Sequence, residues 1–345
     1  MPDKSAKILI IYTGGTIGMV HHPETGSLFP INFNELINQV PELKRFRFII
    51  DSIAFEPPVD SSSINPGTWV RLVTIIEENY KTYDGFVILH GTDTMAYSAS
   101  ALSFMLENLQ KPVIFTGSQL PIGMLRTDGK ENLITAIELA AAKKNGQAIV
   151  PEVTIYFENL LLRGNRTRKK TAEYFKAFSS DNYPPLARAG IHINYNFQAI
   201  KSFIPGSELI VHKNLDTNIA ILKLFPGINQ DVVKAILSIN NIKGIVLETF
   251  GTGNAPKEKW FIDLIREAVA NDILILNVTQ CHGGSVEMDK YETGVELAKA
   301  GVISGRDITT EAAVTKTMYL LGKQLPISQI KMLLNKELNG EITCR

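Results

Sequence analysis

The chain has 345 residues, of which 45% are hydrophobic, and its 35 basic residues balance its 35 acidic ones. A chain of this length and composition can bury a large core, and it predicts a globular protein with two domains rather than one. Because neither charge sign forms a long run, we expect no nucleic acid and no membrane as a partner, and a small molecule is the default ligand.

The N-terminus and the cysteines predict a cytoplasmic protein. The segment MPDKSAKILIIYTGG lacks a basic stretch followed by a long apolar run and a cleavage site. Cys281 and Cys344 are too few for a disulfide framework, and no apolar run is long enough to cross a bilayer.

The predicted secondary structure alternates between strands and helices. Short apolar, β-branched runs predict buried strands at 6–12, 85–90, 112–117, 153–157, 219–224, 244–250 and 273–278. Helical patterns lie between them at 97–109, 130–144 and 257–271. This alternation predicts an α/β fold with mostly parallel sheets.

A change of pattern near the middle of the chain predicts a domain boundary. The stretch 184–214 holds prolines, glycines and scattered aromatics without a clear repeat. We therefore expect an N-terminal catalytic domain at 1–186, a linker at 187–216 and a C-terminal domain at 217–345.

The first segment that could form a functional site is 12–18, YTGGTIG, directly after the first strand. Ligands bind at the carboxyl ends of strands in an open parallel sheet, and glycines bring backbone N–H groups close to a ligand. Its glycine spacing is not that of the dinucleotide fingerprint, so a plain turn and a ligand site fit this segment equally well.

The second segment is 90–95, HGTDTM, which ends a predicted strand and opens a predicted helix. Thr and Asp favour helix N-caps, and this segment taken alone favours a cap. Gly, Thr, Ser and Asp recur at strand ends at 13–18, 91–94 and 117–118, however, and converging polar loops predict a pocket.

Together these segments resemble the signatures of the bacterial-type L-asparaginases. The similarity continues through 115–123, 126–133, 163–169, 251–256, 277–281 and 300–316, and it points to the type I, cytoplasmic branch. The resemblance implies a larger, flavodoxin-like N-terminal domain with a parallel sheet and a smaller C-terminal α/β domain. It also implies hydrolysis of L-asparagine to L-aspartate and ammonia, with no cofactor and no metal.

The resemblance assigns catalytic roles to Thr16, Thr92, Asp93 and Lys169. Thr16 matches the nucleophile, which would attack the amide carbon, release ammonia and leave an ester for water to hydrolyse. A threonine hydroxyl must pass its proton to a positioned base, so a lysine beside Thr92 makes chemical sense. Backbone N–H groups near Gly15 and Thr92 would stabilise the oxyanion.

The resemblance also implies a set of substrate-binding residues. Asp93 would pair with the α-ammonium group of the substrate, and Ser118 would lie near its leaving amide. The full set comprises Gly15, Asp60, Ser61, Gly91, Thr92, Asp93 and Ser118. A turn is the structural alternative for the Asp60–Ser61 pair.

The segment 21–30 departs from the family pattern, because it lacks the tyrosine that many relatives carry on a mobile lid. Tyr291 matches a tyrosine that type I relatives place near the site, and it is our candidate for a catalytic substitute. His21 and His22 lie in this segment without a third ligand, so we expect no metal there.

Three positions bear on regulation. Some type I relatives bind asparagine at an activating second site, where this chain has Arg168, Glu248 and Cys281. Two of these positions differ from the relatives, and their opposite charges favour a salt bridge between Arg168 and Glu248. We therefore expect activation by asparagine to be absent or altered.

The resemblance implies a homodimer or a homotetramer. Three alternative functions stay open at this point. Two are amide hydrolysis on glutamine and on glutamyl-tRNA, and the third is non-catalytic sensing of asparagine or aspartate. The intact set of Thr16, Thr92, Asp93 and Lys169 argues against a degenerate site.

Overall fold

The computed structural model describes residues 6–21, 28–30, 33–202, 204 and 206–343. The chain divides into two compact units, Met1–Lys213 and Asn214–Arg345. In the described ranges, no helix is long and apolar enough to cross a membrane.

The first unit is built around one large sheet. Its strands are β1 (Lys7–Tyr12), β2 (Met19–His21), β3 (Leu28–Pro30), β4 (Ile49–Ala54), β5 (Gly85–Leu89), β6 (Leu106–Glu107), β7 (Val113–Thr116), β8 (Lys143–Lys144), β9 (Gln147–Ala148), β10 (Val153–Phe157), β11 (Leu160–Arg163), β12 (Arg168–Lys169), β13 (Phe178–Ser179), β14 (Ala187–Ala189), β15 (Ile193–Tyr195) and β16 (Ile210–Val211). Its helices are α1 (Phe33–Asn38), α2 (Pro66–Asn79), α3 (Met95–Met105) and α4 (Gly129–Ala140), with 3-10 turns at Thr16–Gly18, Pro41–Arg45, Ser61–Ser63 and Gly164–Arg166.

The large sheet has the order β15-β14-β11-β10-β7-β5-β1-β4. The five strands β4, β1, β5, β7 and β10 pair in parallel, whereas β11, β14 and β15 add an antiparallel edge. Numbered along the chain, the parallel strands lie in the order 2-1-3-4-5 of the flavodoxin-like sheet. The predicted α/β fold with a mostly parallel sheet is confirmed.

Burial explains why the central strands form where the sequence predicts them. Every residue of β5, β7 and β10 is buried. Strands covered on both faces read as continuous apolar runs, and these runs are the sequence signal. Helix α3 is buried on nearly all sides as well, so its sequence shows no polar face.

The second unit carries a smaller, fully parallel sheet. Its strands are β17 (Ile219–Lys223), β18 (Gly244–Thr249), β19 (Leu274–Thr279) and β20 (Ile303–Ser304), in that spatial order. Its helices are α5 (Gln230–Leu237), α6 (Lys259–Ala270), α7 (Glu292–Lys299), α8 (Thr310–Gly322) and α9 (Ile327–Asn335).

A buried ion pair fastens the end of the chain to helix α8. Lys316 and Glu341 are both 0% exposed, and Lys316 Nζ lies 2.6 Å from Glu341 Oε1. Lys316 also donates to the carbonyl oxygens of Leu334 and Lys336 at 2.9 and 2.6 Å. Burial lowers the pKa of Lys316, and the neighbouring carboxylate opposes this effect.

The region that the sequence suggests as a linker, 187–216, contains regular structure. Strands β14 and β15 pair with each other, and β14 also pairs with β11. Strand β16 pairs with β6. These strands are two or three residues long, and segments this short carry almost no periodic signal.

Candidate active site

The loops that follow β1 and β5 meet at the carboxyl end of the parallel sheet. These two strands are neighbours, and the chain leaves β1 towards β4 on one side before it returns to β5 on the other. This is the topological switch point, where the connections diverge and leave a crevice. The sequence-predicted threonines lie in these two loops.

The loop after β1 is held against its neighbours without space for side chains. A Cβ atom on Gly14 would lie 2.4 Å from the carbonyl oxygen of Val59, and one on Gly15 would lie 2.4 Å from Gly91 N. Gly15 also has a φ of +91°, which favours glycine. Thr16 follows Gly15 directly, begins a 3-10 turn and is partly exposed.

The loop after β5 forms a close polar cluster with β12. Lys169 Nζ donates to Thr92 Oγ1 at 2.8 Å and to Asp93 Oδ1 at 2.7 Å. Thr92 is 7% exposed, whereas the carboxylate of Asp93 remains largely open to solvent. The structure thus brings Thr92, Asp93 and Lys169 into direct contact, although Lys169 is far from the others in the sequence.

Asp60 and Ser61 lie on the 3-10 turn between β4 and α2. Asp60 is the N-cap of this turn, and its Oδ1 accepts from Ser62 N at 2.8 Å. Ser61 is buried, and its carbonyl oxygen accepts from Thr94 Oγ1 at 2.7 Å. A Cβ on Gly91 would lie 2.6 Å from Ser61 Oγ, so this turn also borders the two threonine loops.

Ser118 is buried in the loop after β7, and its hydroxyl donates to the carbonyl oxygen of Leu120 at 2.6 Å. The adjacent Gln119 contacts the cluster directly, because its Oε1 accepts from Thr92 Oγ1 at 3.2 Å. Gln119 Nε2 donates to the carbonyl oxygen of Tyr174. The sequence analysis missed Gln119, and only its position next to Ser118 could have suggested it.

A partly buried carboxylate, that of Asp128, supports the loop that carries Gln119. Asp128 accepts from the backbone N–H groups of Gln119 and Leu120 and from Asn132 Nδ2, at 3.1 to 3.2 Å. Burial raises the pKa of Asp128, while these hydrogen bonds act in the opposite direction. Asp128 was also missed, since an Asp before a predicted helix is equally typical of a cap.

Tyr291 and two of the regulatory positions belong to the second unit. Tyr291 precedes α7 and is 55% exposed. Glu248 Oε1 accepts from Thr310 Oγ1 at 2.6 Å, and its Oε2 lies 3.3 Å from Lys223 Nζ. Cys281 is an exposed free cysteine. The role of Tyr291 and the pairing of Glu248 with Arg168 stay predictions.

The segment 21–30, which lacks the lid tyrosine, is described only at His21, the last residue of β2, and along β3. These two strands pair in antiparallel fashion. His22, the rest of 22–27 and Cys344 lie outside the described residues.

Known proteins are similar to this chain along nearly its whole length. The family model "Asparaginase, N-terminal" matches residues 7–201, and "Glutaminase/Asparaginase C-terminal domain" matches residues 218–334. L-asparaginase 1 of Escherichia coli (strain K12) is 44% identical over 339 residues, which are 97% of this chain and 98% of that protein.

Solved structures agree with these matches. The crystal structure of L-asparaginase I from Vibrio cholerae O1 biovar eltor has a TM-score of 0.89 and 42% identity, covering 99% of this chain and 100% of that chain. The thermostable L-asparaginase from Thermococcus kodakarensis has a TM-score of 0.89 and 32% identity, covering 98% and 100%.

Proposed function

The chain belongs to the asparaginase family, and we propose that it hydrolyses the side-chain amide of L-asparagine to L-aspartate and ammonia. The contact of Lys169 with both Thr92 and Asp93 carries this proposal. It places a hydroxyl, an amine and a carboxylate together at the switch point of the sheet, beside the loop of Thr16. Such a cluster can move a proton at a nucleophile and bind the charged end of an amino acid.

Thr16 is the proposed nucleophile. Its oxygen forms a bond to the amide carbon, its proton passes to the leaving nitrogen through the Thr92–Lys169 contact, and the C–N bond breaks to release ammonia. Water then attacks the aspartyl ester, which yields aspartate and restores the threonine hydroxyl. The packing of Gly15 on Gly91 supports this assignment, because it holds the two threonine loops together.

Asp93 is the proposed partner of the substrate's α-ammonium group. A carboxylate accepts hydrogen bonds at both oxygens, so the bond between its Oδ1 and Lys169 leaves the second oxygen for the substrate. We propose that Asp60 and Ser61 bind the α-amino and α-carboxylate groups, with Gly15, Gly91 and Ser118 completing the pocket. The N-cap bond of Asp60 uses only its Oδ1, which is compatible with this role.

We further propose a cytoplasmic homodimer or homotetramer, with Tyr291 taking part in catalysis. The resemblance to the type I branch supports these assignments. Sedimentation-velocity runs at micromolar concentration would test the assembly, and a single monomer peak would contradict it.

Ammonia release from L-asparagine and from L-glutamine tests the function. We expect asparagine-selective release by the wild type and a loss of at least about 1000-fold in Thr16→Ala. Thr16→Ser keeps a hydroxyl and should retain measurable activity. Unchanged release in Thr16→Ala would show that the nucleophile is another residue, and no release from either amide would overturn the proposed activity.

A further inference from the structure

His90 is a buried residue at the end of β5 for which the proposed chemistry has no role. It is 1% exposed, and its ring contacts Ser98 of α3 and the ring of Phe115 on β7. Its Nδ1 lies 2.7 Å from the carbonyl oxygen of Gly91, and its Nε2 lies 2.9 Å from Ser98 Oγ. Ser98 Oγ also accepts from Trp69 Nε1 at 2.9 Å.

The chemistry of these partners assigns every proton in the chain of hydrogen bonds. The carbonyl oxygen of Gly91 only accepts, so His90 Nδ1 must carry a proton. The indole N–H of Trp69 only donates, so the Ser98 hydroxyl accepts it and is free to donate to His90 Nε2. Burial lowers the pKa of His90 to about 4, which keeps the ring neutral and Nε2 without a proton.

The bond between His90 Nδ1 and the carbonyl oxygen of Gly91 fixes the orientation of one peptide group. The peptide between Gly91 and Thr92 is planar and trans, so its carbonyl and its N–H point in opposite directions. Because His90 Nδ1 holds the carbonyl in the core, the N–H of Thr92 points away from the core. Within the described part of the chain, this N–H has no hydrogen-bond acceptor.

The position of Gly91 makes this restraint necessary. A glycine backbone adopts many conformations, and nothing but glycine fits between Ser61 and the Gly15 loop. The peptide plane between Gly91 and Thr92 could therefore turn about its flanking Cα bonds unless a neighbour held its carbonyl.

We propose that His90 is a positioning residue for amide hydrolysis, which aims the Thr92 N–H at the oxyanion by holding the carbonyl of Gly91. This inference rests on the proposed function and on the sequence-based expectation that backbone N–H groups near Gly15 and Thr92 stabilise the oxyanion. An oxyanion donor contributes to kcat because the charge exists only in the transition state.

Two amide replacements of His90 separate this role from simple packing. His90→Asn keeps a donor near the position of Nδ1, whereas His90→Gln places its amide near the position of Nε2 and loses the bond to Gly91. We expect kcat for asparagine to fall about 100-fold in His90→Gln, with KM changed less than threefold, and to fall less than tenfold in His90→Asn. Ser98→Ala, which leaves the Gly91 bond intact, should retain the wild-type kcat.

Thermal unfolding and calorimetric binding of L-aspartate accompany the kinetics, so that only folded variants with an intact pocket are compared. Equal losses of kcat in His90→Asn and His90→Gln, or a loss confined to KM, would overturn the role of His90. A wild type that releases no ammonia would instead refute the proposed function, which keeps the two failures distinct.

Discussion

Removing the carboxylate of the buried pair between Lys316 and Glu341 should destabilise the second unit strongly. In Glu341→Gln, the lysine keeps only carbonyl partners, and an uncompensated buried charge costs about 3–5 kcal/mol. The unit should then unfold roughly 10–20 °C below the wild type in scanning calorimetry. The loss of stability should shrink as the pH rises towards 10.5. Burial lowers the pKa of Lys316 in the folded state, so the unfolded chain binds more protons in this pH range, and a rise in pH then favours the folded state.

Two further variants give this prediction its controls. Asp263→Asn breaks exposed pairs with Lys259 and Arg266 in the same unit, and it should leave the unfolding temperature nearly unchanged because solvent screens such pairs. Lys316→Met combined with Glu341→Gln removes the unpaired charge and should regain about half of the loss. The reasoning is refuted if Glu341→Gln is as mild as Asp263→Asn, or if the double variant is less stable than Glu341→Gln alone.

Three other predictions concern the first unit. Lys169→Met should lower kcat for asparagine by about 100-fold or more, with the fold checked by circular dichroism, and an activity within threefold of wild type would contradict the proton pathway. Gly15→Ala should lose far more activity than Gly146→Ala, since both have positive φ but only the first would press a Cβ against Gly91 N, and equal kcat values would count against this contact. The folded-state pKa of His90 lies below its ordinary 6.5, so the unfolded chain binds more protons between pH 6.5 and about 4. Urea unfolding should therefore show about 3 kcal/mol of stability lost as pH falls through this window, and His90→Asn should lack that contribution.

The sequence predicted the parts of the fold that are buried on both faces. Continuous apolar runs located β5, β7 and β10 to within a residue or two. Strand β4 escaped prediction because it lies at the edge of the sheet, and its residues are exposed or only partly buried. Strands β14 and β15 were missed because they depend on pairing with β11 rather than on a local pattern.

The candidate site shows the same division between local and long-range information. Thr16 and Thr92 could be predicted because they follow strands whose ends must meet at one edge of a parallel sheet. Nothing local to Lys169 distinguishes it from the other basic residues of its segment, and only the resemblance selected it. Gln119 and Asp128 act through hydrogen bonds to other loops, and no spacing rule relates those loops to one another.

The two tryptophans of the chain fall one in each unit, Trp69 on α2 and Trp260 on α6. Trp69 is buried and donates to Ser98, whereas Trp260 is partly exposed. Each unit therefore contains its own intrinsic fluorophore. Trp69→Phe would leave tryptophan emission from the second unit alone, and Trp260→Phe would leave it from the first, so the unfolding of the two units could be followed separately without an attached dye.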